Sequence, residues 1–349
     1  MKIIRITGIL WFACTNVWAN RMVDLYGLPE AEAQPIVQKY AERVSDIETR
    51  LLEKGLQFSP NSASLMRLIM QKKRLINDIQ GEGPYAFVDI QTFRYPGEKS
   101  NYSTIEVVRK DQPKRLRYVE ARPKPYPLTR HHDSVDEMYQ FELLTAQVMM
   151  RPDFVIDKTP CPVYHCIISF NHPDLKPYLP RFNQAILTQK QRIIDTLNHD
   201  PNPQRRAAAA FLIGHDPDPR DILKTLLPHV NDPDSGVRNN VLRVIATTLT
   251  KSHITSLDPT PFLELLDSPY GTDRNKSLAA LLTIADSQQG KQMILRQGSD
   301  HLLNLLQLQQ PNNHKLAYLI LKKISHKTYG DRAIQAWRNW LALSRRQRL

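Results

Sequence analysis

A multidomain, mainly α chain ending in an α-solenoid of stacked helical hairpins is the architecture this sequence predicts, and three observations predict it. The first is a pattern that occurs three times in the second half: Pro201-x4-Arg206, Pro233-x4-Arg238 and Pro269-x4-Arg274. Apolar residues follow each arginine four and seven places on, Ala210 and Ile213, Leu242 and Ile245, Leu278 and Leu281, which is one face of a helix entered through a proline turn. The second is spacing. Successive prolines of the pattern stand 32 and 36 residues apart, the length of a helical-hairpin repeat, and such repeats bury their apolar faces only by stacking. The third is a change of hydrophobic period after Gly83, from helical to alternating. It places a small α+β unit with mostly antiparallel strands between a leading helical hairpin and the solenoid. The expected divisions are a signal peptide over 1–19, a helical hairpin over 20–83, the α+β unit over 84–183, and the solenoid with a basic C-terminal cap over 184–349.

Lys2 and Arg5 precede an apolar stretch from Ile6 to Ala19, and Val17-Trp18-Ala19 supplies residues a signal peptidase tolerates. This is the pattern of a secretory signal cut before Asn20. The alternatives are a buried first helix, disfavoured by the lack of polar residues at an amphipathic period, and a lipoprotein signal at Cys14, disfavoured by Trp11 and Phe12. The mature chain is therefore expected to be exported, in the periplasm or secreted. No later run approaches the ~18 apolar residues of a membrane-spanning helix.

Pro29, Glu30 and Glu32 have the chemistry of a first helical turn. Ile36, Tyr40, Val44, Ile47, Leu51 and Leu52 then recur at helical spacing up to Gly55, with a restart or kink expected at Pro35. Asn61 or Ser62 opens a second helix through Leu65, Leu68, Ile69, Leu75 and Ile76, stopped by Gly81-Glu82-Gly83. The β-rich runs Tyr85 to Phe93 and Tyr102 to Val108 flank Pro96-Gly97 and read as a hairpin. Arg115 to Glu120 is a third strand candidate, and Arg122 to Pro127 an extended connector. Ser134 and Glu137 form a capping box before a helix through Val135, Met138, Phe141, Leu144 and Val148, and Val163 to Phe170 reads as a last strand. Four helix pairs complete the chain: Ile186 to Leu197 with Gln204 to Ile213, Asp221 to Leu227 with Gly236 to Thr248, Pro261 to Leu266 with Asp273 to Ala285, and His301 to Leu306 with Asn313 to Ser325.

Asn231-Asp232-Pro233-Asp234-Ser235-Gly236-Val237-Arg238-Asn239-Asn240-Val241-Leu242 resembles the start of the second helix of a HEAT repeat, and Asp200-Pro201-Asn202-Pro203-Gln204-Arg205-Arg206-Ala207-Ala208 is close to the same pattern. The short, aspartate-capped form is similar to the bacterial HEAT-like repeats also found in phycobilisome lyases. A third copy keeps Asp267-Ser268-Pro269 and Arg274, a fourth at Pro311 has lost the spacing, and Ala333 to Trp340 would be a terminal helix over the last open face. The resemblance covers the C-terminal part alone; no family is recognised before Ile186. It implies a binding scaffold whose concave surface, lined by second helices, takes another protein or a peptide.

Within the repeats, Asp200 and Asp232 are read as helix caps, and each repeated arginine as a rung reaching a neighbouring repeat's aspartate or carbonyl. Partner specificity then falls to positions that differ between copies: Arg205, Asn239, Arg243 and Lys276. The net charge of +12 is concentrated at one end, where nine Lys or Arg accompany a single acid, Asp331, between His314 and Leu349. Lys322, Lys323, Arg338, Arg345, Arg346 and Arg348 are the candidates there for contact with an anionic membrane surface or envelope polymer. Trp337 and Trp340 share one helix side and suit either such an interface or a core. Basic composition also suits nucleic acid, but the export signal argues against it.

Cys161 and Cys166, five residues apart in an exported chain, can close a disulfide loop; two separate thiols on a strand are the alternative. With His131-His132-Asp133, His165 and His172 they allow a metal site or Cys–His nucleophile to be drawn, at no recognised spacing. No Gly-rich phosphate loop, Gly-x-Ser-x-Gly elbow or His-Glu-x-x-His occurs. No catalytic residue, metal ligand or cofactor is assigned. The reading is an exported, non-enzymatic interaction protein. Its alternatives are an enzyme or small-ligand carrier with its site in the α+β unit, and a membrane-surface assembly factor using the basic end.

Overall fold

Side-chain alternation along three short strands organises the N-terminal half. In the computed structural model, which describes residues 22–56, 63–94, 101–119, 132–151 and 154–346, β1 (Met22–Tyr26), β2 (Tyr85–Arg94) and β3 (Asn101–Arg109) form one sheet in the order β1-β3-β2. β1 runs parallel to β3 and β2 antiparallel to it. Successive side chains point to opposite faces. The pairings Val88 with Val107 and Ile90 with Ile105 therefore put apolar groups on one face, while Asp24 with Thr104, Tyr26 with Glu106 and Gln91 with Thr104 line the other.

Two helices, α1 (Glu30–Leu56) and α2 (Ala63–Gln80), cover the apolar face. Salt bridges Lys39–Glu82, Arg43–Asp78 and Glu48–Lys72, at 2.6, 2.8 and 2.9 Å, advance along α1 as they step back along α2, so the helices are antiparallel. Ile36, Tyr40, Val44, Ile47, Leu75 and Ile79 close a core with Val23, Val88, Ile90, Ile105 and Val107. The expected restart at Pro35 does not occur, and α1 runs through it. The carbonyl that loses its partner there belongs to exposed Ala31, where water can serve it.

The polar face meets the solenoid. After α3 (Pro113–Leu116) and α4 (Ser134–Met149) come α5 (Tyr178–His199), α6 (Pro203–Ile213), α7 (Pro219–Leu226), α8 (Ser235–Ser252), α9 (Thr260–Glu264), α10 (Gly271–Ile284), α11 (Gln288–Gln297), α12 (Ser299–Gln307), α13 (Pro311–Ser325) and α14 (Ile334–Arg346). The four expected pairs are present as α5–α6, α7–α8, α9–α10 and α12–α13, and their second helices stack in sequence, α6 on α8 on α10 on α13. All six apolar residues of the repeated pattern are buried.

The fold is the expected mainly α arrangement with a small sheet, and its differences from expectation are local. The sheet is mixed because β1, five residues long, adds to β3 in parallel. The strand expected over Arg115 to Glu120 is not formed by its described residues, 115–119: Pro113 at the first helical position starts α3 instead. Val163 to Phe170 forms no ladder either. Cys161 and Cys166 are disulfide-bonded with their Cα atoms 5.8 Å apart, whereas five extended residues span about 16 Å, so ring closure and a strand exclude one another. Asp133, not Ser134, caps α4, accepting from the amides of Val135 and Asp136 at 3.1 and 3.0 Å. Val135, Met138, Phe141, Val163, Phe170, Leu175 and Phe182 share the solenoid's core, so that core draws on residues well before 184. The expected signal peptide at 1–19 and the expected connector Arg122 to Pro127 lie outside the described residues. Among the described residues no helix is long and apolar enough to cross a membrane.

Candidate interaction surface

Each turn arginine first folds back onto its own turn. Arg206 Nη1 donates to the carbonyl of Asp200 at 3.0 Å, Arg238 Nη1 to that of Asp232 at 2.8 Å and Arg274 Nη1 to that of Ser268 at 2.7 Å, six residues back in every case. Other N–H groups of each arginine reach an acid, while Arg274 Nε is buried without a partner. Arg206 takes both oxygens of Asp232, at 3.1 and 2.9 Å, and Arg238 donates to Asp273 at 2.9 Å, so each of these rungs joins one repeat to the next. Arg274 leaves the solenoid and takes both oxygens of Glu106 on β3, at 2.9 and 2.6 Å. Arg238, Arg274, Asp273 and Glu106 are almost wholly buried. Removing one partner of such a pair strands a charge in the interior, at a typical cost of ~3–5 kcal/mol.

Other groups on the polar sheet face grip the same turns. The Tyr26 hydroxyl donates to the Leu266 carbonyl at 2.8 Å, and burial pushes that phenol up to about 12. The Gln91 amide donates to Pro269 O at 3.1 Å and accepts from Gly271 N at 2.8 Å. Asp24 accepts from the amides of Gln309 and Gln310, at 2.7 and 3.0 Å, before α13. Arg115 donates through Nε to Asp267 O at 2.9 Å and through Nη1 to Val107 O at 2.8 Å. Gly27, at φ +108, is what lets β1 end beside that guanidinium: a Cβ there would lie 2.0 Å from Val107 O and 2.6 Å from Arg115 Nη1.

The flanks of the second helices are different. Asn239 and Arg243 stand one turn apart on α8, and Lys276 lies on the neighbouring α10. Asn239 Nδ2 donates to Asn240 Oδ1 at 3.1 Å, Asn240 Nδ2 to Glu142 of α4 at 2.8 Å, and Lys276 Nζ to Asn275 Oδ1 at 2.8 Å. The Arg243 side chain makes no hydrogen bond or ion pair with the described residues, its Nε being buried without a partner, as is Asn239 Oδ1. Burial, which outweighs the Asn240 hydrogen bond and the positive charge of Arg243, raises Glu142 to about 7. Burial, then the charge of Arg243, lowers Lys276 to about 8. His165 lies stacked on Phe211 at 3.6 Å between ring centroids, and burial holds it neutral, well below the usual imidazole range.

Of the four positions expected to carry specificity, three are thus brought together. Arg205 is elsewhere, and its guanidinium is taken up internally: it bonds Asp200 at 2.7 Å, Asp133 at 2.9 and 3.2 Å, and Asp136. It ties α6 to the cap of α4 at the edge of a groove of about 1320 Å³ between α4 and α5. Charges in that groove also pair among themselves, Arg181 with Glu137 at 2.8 Å and Arg192 with Asp133 at 3.2 Å.

At the basic end, Lys322 and Arg338 are exposed, whereas Lys323 donates to Leu282 O and to both oxygens of Asp286. Arg345 and Arg346 end α14, and Arg348 lies outside the described residues. Trp337 is fully buried, its indole N–H on Gly330 O at 2.9 Å, so it packs the cap rather than presenting to an interface. His132 is exposed, buried His165 packs on Phe211, and His131 lies outside the described residues. Among the described residues no three His, Cys, Asp or Glu side chains are placed to hold a metal ion.

Sequence reasoning missed Glu106, Gln91, Arg115 and Glu142. Asp89 and Gln91 of β2 and Thr104 and Glu106 of β3 flank apolar residues in alternation and look solvent-facing, and only the docked solenoid shows otherwise. A family model for HEAT repeats matches residues 191–282, from within α5 to within α10. No curated protein and no solved structure is similar enough to match.

Proposed function

We propose that this protein is an exported, non-enzymatic scaffold that binds another protein or a peptide through the second-helix face of its solenoid. HEAT repeats at 191–282 suggest a protein-interaction role in general. One observation carries the finer reading: each turn arginine holds an acid, while the side chain of Arg243 on the flank of α8 has no partner, with Lys276 and Asn239 beside it. The leader at 1–19 and the bond between Cys161 and Cys166 support export, since such bonds persist in oxidising compartments.

A photo-crosslinking residue at position 239 of the full chain, expressed in its own cell, tests the surface. A discrete protein adduct is expected at 239 and none at Lys291 of α11, which is likewise half-buried; adducts at 291 alone, or equally at both, would overturn the assignment. Export is tested separately by the mature N-terminus, expected at Asn20 and contradicted by an intact Met1 leader.

A further inference from the structure

Net positive charge is left uncompensated on the flank of α8 and α10. Arg243 and Lys276 contribute two cations to one neighbourhood, and the acid that faces Arg243, Glu142 of α4, is held by Asn240 and makes an ion pair with neither. Even with Glu142 ionised, the cluster is one positive charge in excess. The fourth titratable group nearby, His165, is neutral and adds no compensating charge. Taking a cation out of water without a partner is costly, and proteins ordinarily satisfy a buried guanidinium with a planar acceptor. Here the acceptor is missing: Arg243 Nε is buried and unbonded. Both cations nonetheless remain partly accessible, so a group from outside can reach them.

We propose that Arg243 and Lys276, with the Asn239 amide, form a binding site for a carboxylate presented by an acidic segment of a protein partner. The proposal rests on the scaffold reading and deepens it. A monoanion matches the one-charge excess, and a planar carboxylate matches the donor fork of an arginine. A phosphate dianion overshoots the charge unless Glu142 is protonated as well. Binding a carboxylate also raises Lys276 back toward its ordinary range, so affinity falls as pH rises through about 8, where the free site loses its second cation; Glu142, gaining charge through about 7, works in the same direction.

The test uses the full mature chain and a fluorescent hexaglutamate peptide, read by anisotropy at constant ionic strength. R243Q/K276Q is expected to weaken binding at least tenfold. K322Q/R338Q, which removes as much charge from the exposed basic end, is expected to change it less than twofold. Equal losses in the two double variants mean unspecific attraction and overturn the proposal, as does a wild type that binds inorganic phosphate more tightly than hexaglutamate. Unfolding midpoints of both variants are measured alongside, and K276Q alone, expected to lose affinity in part, serves if the double variant unfolds. A protein adduct at position 239 together with hexaglutamate binding indifferent to R243Q/K276Q would leave the scaffold reading standing and remove the carboxylate site.

Discussion

Arg238 and Arg243 stand five residues apart on α8, and Arg274 and Lys276 two apart on α10, yet the two sets have opposite surroundings. Arg238 and Arg274 are buried against Asp273 and Glu106 and against carbonyls of their own turns. Arg243 and Lys276 are partly buried with no acid bonded to them. The difference follows from where each points along the stack. At the turn end, the next repeat or the docked sheet supplies an acid; beside Arg243 and Lys276, the solenoid supplies none. A basic residue in a repeat is therefore structural or available according to its position, not its type.

The comparison breaks most visibly at the buried end. Arg274→Ala should cost ~3–5 kcal/mol, because Glu106 is left buried and unpaired; urea unfolding checks it, and a loss below about 1 kcal/mol would place the sheet's attachment elsewhere. Glu142→Gln sharpens the flank side through pH. Its folded pKa, about 7, lies above the ordinary 4.5. The stability tied to it is thus fully present below pH 4.5 and lost as pH rises through about 7. The glutamine variant should be more stable than wild type by about 3 kcal/mol at pH 8 and equal to it at pH 4, as read by thermal unfolding at both values. Arg206→Ala should cost less than Arg274→Ala, about 1–2 kcal/mol, since Arg206 and Asp232 keep some contact with water. Arg243→Leu should lie within about 0.5 kcal/mol of wild type or above it, as no native bond is lost.

Much of the solenoid was legible in the sequence, because proline turns, aspartate caps and helical period are local signals that stacking reinforces. The rung role of the turn arginines was legible for the same reason: Arg206 and Arg238 do reach the next repeat's aspartate. The third rung was not, since its acid, Glu106, lies 168 residues away on a strand. Nor was the role of Glu142, which meets α8 only because α4 packs on α6. The loop at Val163 to Phe170 was misread because β-branched and aromatic residues suggested a strand, while the disulfide five residues long forbade one. Arg205 looked variable and free, and its three aspartates come together only in the folded chain.

A double-mutant cycle on Arg274 and Glu106, each to alanine singly and together, tests most directly whether the arginine ladder of the solenoid ends in the N-terminal sheet. If it does, the second substitution should cost far less once the first is made, with a coupling of about 2–3 kcal/mol. Losses that simply add, within about 0.5 kcal/mol, would contradict it.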